Sequence, residues 1–302
     1  MSTRPKNPPG FTDFALLVTL SALFGASFMF THWAVAEIPP LTVAASRVFI
    51  ALLILLPLML QSGQRLPHIG IIWLPAIASA TLGYALPLSL VSWGQLRVPA
   101  SLAAIFMAIM PLATVVLAHL FTRDEKLNRW KLAGVLCGLV GVVVLFGIDT
   151  LSNIGDADAL SQLAILAAAV CYAINAIITR ALVDVPRLPM LVVLMLVCSL
   201  IMVPISLIVE SPYSHWPSWQ ALASVLILAV GPTAIATLLI LVIVGRQGAS
   251  FISQINFMVP LFGVFLGWSI LGERLSPNAW IALASVLLGI ALSRRGNAHH
   301  GN

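Results

Sequence analysis

The sequence predicts an all-α membrane protein: ten transmembrane helices arranged as two inverted five-helix repeats, with both termini cytoplasmic. Three observations carry this. Sixty per cent of the residues are hydrophobic and only 8 % are charged, against roughly 25 % charged in a soluble domain. Ten apolar runs reach the length a bilayer core demands, about 20 residues per helix. The chain also repeats itself at half its length. Ala100, Ser101, Pro111 and Leu112 recur as Ala249, Ser250, Pro260 and Leu261 at an offset of 149, and Glu125-Lys126-Leu127 recurs as Glu273-Arg274-Leu275. Gly83 pairs with Gly231, Gly141 with Gly289 and Pro40 with Pro189.

The runs lie at 12–34, 39–61, 69–92, 99–121, 129–147, 158–182, 188–209, 218–243, 247–271 and 276–293. Turn signals separate them: Pro39-Pro40, Ser62-Gly63, Pro186 with Pro189, and Ser276-Pro277. Residues 1–11 form a cytoplasmic tail, 12–147 the first repeat, 148–157 a periplasmic connection, 158–293 the second repeat and 294–302 a cytoplasmic tail. Basic residues set the orientation. With the N-terminus inside, Arg4, Lys6, Arg65, Arg123, Lys126, Arg129, Lys131, Arg180, Arg187, Arg246, Arg294 and Arg295 are cytoplasmic, 12 of the 15. Arg97 and Arg274 fall outside, and Arg47 lies within the second span. Five spans is an odd number, so the second repeat enters the membrane from the opposite side. Inverted repeats of this kind suit alternating access, with substrate held where the halves meet.

The net charge of +5 sits at helix ends and does not point to nucleic acid. Cys137, Cys171 and Cys198 fall inside apolar runs and read as packing residues, neither a disulfide framework nor a metal site. The first apolar run, near Phe14, lacks a convincing cleavage site and reads as a retained helix. No cofactor is expected. The expected partners are a small-molecule substrate and the lipid bilayer; monomer and homodimer stay equally open.

Several segments resemble a known family. Phe24-Gly25-Ala26-Ser27-Phe28 is similar to the aromatic-Gly-Ser signature that opens a repeat. Arg47 after Pro39-Pro40 matches the family's second helix. A mid-helix proline followed by Glu-x-Leu appears at Pro111 with Glu125 and at Pro260 with Glu273. The fifth helix of each repeat is glycine-bearing (Gly134, Gly138, Gly141; Gly289). Together these resemble the drug/metabolite transporter superfamily in its ten-helix EamA-type branch, over residues 12–293. The resemblance implies export of small metabolites, amino acids or drugs from a bacterial inner membrane, often in exchange for protons. One branch, the YddG-like exporters, carries aromatic amino acids. Phe24 stands where the family often has Trp, with Tyr172 at the matching place in span 6.

Polar groups at bilayer depth are costly unless paired or wet, so they are the first candidates for a site. They fall on spans 1 (Ser27, Thr31, His32), 3 (Tyr84, Ser89, Ser92, Trp93), 6 (Tyr172, Asn175, Thr179), 8 (Thr233, Thr237) and 9 (Ser250, Ser253, Gln254, Asn256). Substrate contact is expected at Tyr84, Tyr172, Asn175, Gln254, Ser27 and Thr233. A lone Ser or Thr often bonds its own helix. A primary amide cannot satisfy all its groups that way, which favours Asn175 and Gln254. Gln254 and Asn256 are about 200° apart around a helix, so one of them packs. Arg47 either packs between helices or receives a substrate carboxylate; family likeness supports packing. Pro111 and Pro260 each remove a backbone donor and are expected to bend matched helices. His32 and Glu37 are candidates for a gate or a proton link, since no Asp or Glu lies deep in a span. Without such an acid, the alternative is a facilitator running down a substrate gradient.

An enzyme is not expected: the spans hold no pair of buried acids and no His-Glu-x-x-His. They also lack a mid-depth lysine for a Schiff base and the charge rings of a channel. Among transport readings, an amino-acid exporter leads. A proton-coupled exporter of organic cations is the alternative, and it would favour an acid in the cavity.

Overall fold

A computed structural model describes residues 8–68, 70, 72–122, 127–152, 156–179, 186–210 and 216–298. Arg4, Lys6, Arg123, Glu125, Lys126 and Arg180, used above for orientation or for the repeat, lie outside the described residues. Ten helices are long and apolar enough to cross a membrane: α1 (Phe11–Val35), α2 (Pro40–Gln61), α3 (Trp73–Gly94), α4 (Ala100–Phe121), α5 (Arg129–Gly147), α6 (Ala157–Ile178), α7 (Arg187–Val209), α8 (Trp219–Gln247), α9 (Ser250–Ser269) and α10 (Pro277–Gly296). Local chemistry sets their ends. Pro40 opens α2, where a missing N–H costs nothing. Ser218 caps α8 by accepting from the N–H of Ala221 at 3.2 Å. Gly248, at φ 81°, permits the turn from α8 into α9.

Helix pairs build the bundle. The most extensive packing is α5 on α10; α3 on α6, α1 on α8, α2 on α7 and α1 on α9 follow, with little between them. The other main pairings join α4 to α6 and to α9. The largest core lies around α2 and α7, where Val48, Leu55, Val192, Met195 and Cys198 are buried. The start of α1 and the end of α10 share one face of the ten-helix bundle, here called the terminal face; the opposite one is the far face.

Four helices depart from regular α geometry, and in three of them the departure lies near a proline. In α3, residues Thr81–Ala85 form a π turn; in α8, Ala229–Ile235 do the same. Pro87 has no N–H to offer Gly83 four residues back, and Pro232 has none for Leu228, so the helix widens there. In α4 regular helix stops at Met107 and resumes at Met110, just ahead of Pro111. The α9 helix breaks elsewhere than expected. Its interruption falls at Ser253 and Gln254, where three-residue bonds tighten the chain, and Pro260 sits inside the continuous segment Ile255–Ser269. The two prolines therefore do not sit at matched helix breaks. They do act on matched carbonyls: each deprives the residue four back of its donor, and those residues are Met107 and Asn256.

The far face is closed by three carboxylates, each seated on the first turn of a helix distant in sequence. Glu273 accepts from the N–H groups of Ala100 (2.7 Å) and Ser101 (2.9 Å) and from the Ser101 hydroxyl. Glu210 accepts from the N–H groups of Leu41 (2.9 Å) and Thr42 (2.7 Å) and from the Thr42 hydroxyl (2.8 Å). Glu37 accepts from the N–H and hydroxyl of Ser218, both at 2.6 Å. Negative charge at a helix N-terminus is stabilising. On the terminal face, Asp13 accepts from Arg246 Nε (2.7 Å) and Gln247 Nε2 (2.8 Å), tying α1 to α8. There the second half of α4 packs on α5, α6 and α10 but makes no comparable packing with α1, α8 or α9, whereas its first half packs on α1 and α9. The bundle is thus closed at the far face and looser between α4 and α9 at the terminal face.

Candidate functional site

A cavity of about 370 Å³ occupies the middle of the bundle, walled by α1, α2, α3, α4, α6, α8 and α9. Pockets that hold small molecules have this order of size. Tyr84, Tyr172, Asn175, Ser27 and Thr233 all line it, as do Thr31, Ser92 and Thr237. Gln254 does not. Asn256 takes that place, because the tightened turn at Ser253–Gln254 resets the helical register just ahead of it. Pro111 and Pro260 also line the wall. The remainder is apolar, with Phe24, Phe28, Met107 and Met110 prominent. No Asp or Glu is among the lining residues.

Several hydroxyls make local bonds that leave them little to offer. Ser27 donates to the carbonyl of Phe24 (2.7 Å) and Thr179 to that of Asn175 (3.0 Å). Asn175 is held in place: its Oδ1 accepts from the Ser79 hydroxyl at 2.6 Å, leaving the amide N–H groups for the cavity. Gly83 makes room for that amide. A Cβ there would lie 2.4 Å from Asn175 Nδ2. Gly83→Ala is therefore expected to lower transport severalfold while leaving folding nearly intact, since only the tip of a side chain must move. Counterflow assays beside a thermal melt of the purified protein check this.

Arg47 enters the cavity from α2, about two turns inside its first residue. Its Nε donates to Thr233 Oγ1 at 2.6 Å, and the Thr233 hydroxyl donates to the Leu228 carbonyl at 2.8 Å. That carbonyl is the one Pro232, four residues on, has no N–H to serve. Sequence periodicity did not reveal this relay; the Pro-Thr pair in a π turn opposite a membrane arginine was its signal.

His32 and Glu37 lie away from the cavity. His32 borders a second pocket, about 410 Å³, toward the far face, with Gln95, Arg97 and Glu273. Glu37 sits in the α1–α2 connection. The Ser218 hydroxyl, and then the Ser218 N–H, hold its carboxyl below the usual glutamate range. Its hydrogen bonds are therefore present through the neutral range and are lost only as pH falls below the ordinary carboxylate pKa.

Ten apolar helices folded around a central cavity define a multi-pass membrane transporter. The family model of EamA-like transporters matches residues 14–147 and again 159–295, and the chain belongs to that family. An uncharacterised transporter, YoaV of Bacillus subtilis, is 24 % identical over 289 residues, covering 92 % of this chain and 94 % of that one. The uncharacterised inner membrane transporter YedA of Escherichia coli K12 is 24 % identical, over 94 % and 90 %. An S-adenosylmethionine/S-adenosylhomocysteine transporter of Chlamydia trachomatis is 26 % identical over 288 residues, 91 % and 87 %. A solved crystal structure superposes with a TM-score of 0.68 at 21 % identity, over 93 % of this chain and 97 % of the other, and shows the shared fold. The protein is a bacterial inner-membrane transporter and not an enzyme.

Proposed function

We propose that the protein exports small amphipathic metabolites by alternating access, with amino acids, aromatic ones included, as the leading substrates. The observation that carries this reading is the composition of the central cavity: aromatic and amide side chains beside a cation, with no carboxylate in the lining. An organic cation would find no counter-charge there, whereas a zwitterion finds both kinds of partner. Its ammonium group can meet the carbonyls of Met107 and Asn256, which Pro111 and Pro260 deprive of donors. The relative named for S-adenosylmethionine and S-adenosylhomocysteine handles two α-amino acids, which supports the same class. Placing the terminal face in the cytoplasm, as the basic residues direct, makes this conformation the one that loads substrate from inside. Closure between α4 and α9, followed by release of the far-face carboxylates, completes the cycle.

Counterflow into proteoliposomes tests the reading, using labelled amino acids and one organic cation, with and without a pH gradient. Saturable exchange of amino acids without the gradient is expected. Transport of the cation alone, accelerated by the gradient, would replace this reading with a proton-coupled multidrug exporter.

A further inference from the structure

We infer that Arg47 is the receptor for a carboxylate on the transported molecule; the inference rests on the transport reading above and names the group the site selects. Arg47 lies in the wall of the central cavity. One edge of its guanidinium is committed: Nε donates to Thr233, which is itself fixed by the Leu228 carbonyl. That bond fixes the group through Nε and leaves the end of the fork, formed by its two Nη atoms, for another partner. Among the described residues neither Nη has a hydrogen-bond partner, and Arg47 forms no ion pair. The Nη atoms are not among the buried polar atoms sealed off without a partner, so they open onto the cavity. An arginine that merely joined helices would spend these donors on backbone carbonyls, and one that snorkelled would point to the headgroups. Arg47 does neither.

A cation in an apolar wall without a counter-ion is costly. A carboxylate taking both Nη groups offsets that cost through the short, charge-assisted pairing that guanidinium geometry favours. The Tyr84 and Tyr172 hydroxyls line the same cavity from α3 and α6, with no hydrogen bond among the described residues. Each can donate to the same carboxylate. The loading state thus presents a fixed anion socket opposite apolar surface from Phe24, Phe28 and Met107.

The test is proteoliposome counterflow with a panel of amino acids, each beside its α-amide, and with 3-phenylpropionate as a carboxylate lacking the ammonium group. Wild-type protein should move the acids and discriminate against the amides. Arg47→Gln should raise KM for the acids by about tenfold or more and leave the amides unchanged. Arg47→Lys should restore only part of the loss. Thr233→Val, which keeps the charge but frees Nε, should raise KM for acids severalfold, and it serves where the Arg47 variants fail to fold. Equal transport of acid and amide by the wild type, an equal loss of both in Arg47→Gln, or no effect of Thr233→Val would overturn the inference while amino-acid transport stood. Arg47-dependent transport of 3-phenylpropionate without any amino acid would uphold it and overturn the amino-acid reading. Transport of organic cations alone, or of no panel member, would overturn it.

Discussion

Glu273→Ala is expected to unlock the far face and slow transport severalfold. Glu273 lies in the α9–α10 connection, and its own N–H donates to the Gly267 carbonyl at 3.0 Å. Its carboxylate then takes two backbone N–H groups and the hydroxyl at the start of α4. One side chain so fastens α9 to α4 at the end where the proposed cycle has those helices part. Losing a helix cap costs about 1–2 kcal/mol, enough to change a two-state population by roughly 5–30-fold. The measurement is labelling by an impermeant maleimide applied from the far face, with Thr31→Cys or Ser92→Cys as reporter in a chain whose three native cysteines are alanine. Both reporters line the cavity. Labelling should be fast in Glu273→Ala and intermediate in Glu273→Gln, whose amide keeps one acceptor oxygen. Glu210→Ala is the contrast. It removes the same kind of cap, but between α7 and α2, which share the largest core, so it should lower the melting temperature without speeding the label. Equal labelling in wild type and Glu273→Ala would mean that the carboxylate only caps α4.

The spans were legible because a bilayer imposes a length and a composition, and α1 through α10 fall where the apolar runs do. The polar candidates were legible because depth makes them conspicuous: Tyr84, Tyr172, Asn175, Ser27 and Thr233 share one cavity. What was not legible depends on hydrogen bonds that a pattern of residues does not display. The π turns at Thr81–Ala85 and Ala229–Ile235 follow from backbone bonds that Pro87 and Pro232 cannot make. The choice of Asn256 over Gln254 was decided by a short tightened turn between them and the start of α9. The direction of Arg47 depends on Thr233, which is 186 residues distant. The far-face caps likewise join groups separated by 168 to 181 residues, where no local rule reaches.

Gly289→Val is expected to remove most of the folded protein from the membrane while leaving the transport properties of the survivors unchanged. The α5 and α10 backbones touch at Gly134 and Gly289. A Cβ on Gly289 would lie 2.5 Å from the Gly134 carbonyl oxygen and 3.1 Å from the Gly138 nitrogen; one on Gly134 would lie 2.4 Å from the Gly289 carbonyl oxygen. These are backbone atoms on both sides, so no rotamer change relieves the clash, and the helices must separate. Helix association within lipid relies on such close van der Waals approach, having little hydrophobic drive of its own. Overpacking a core costs about 1–3 kcal/mol where side chains can yield, and here they cannot, so a drop of about tenfold or more in folded yield is expected. Size-exclusion of a fluorescent fusion reads that yield, and counterflow reads KM in what remains. Neither α5 nor α10 lines the cavity, so KM should hold. Gly245→Ala, at a glycine whose Cβ would meet nothing within 4 Å, should fold at least as well as wild type. Normal yield in Gly289→Val would show that α5 and α10 can part without loss.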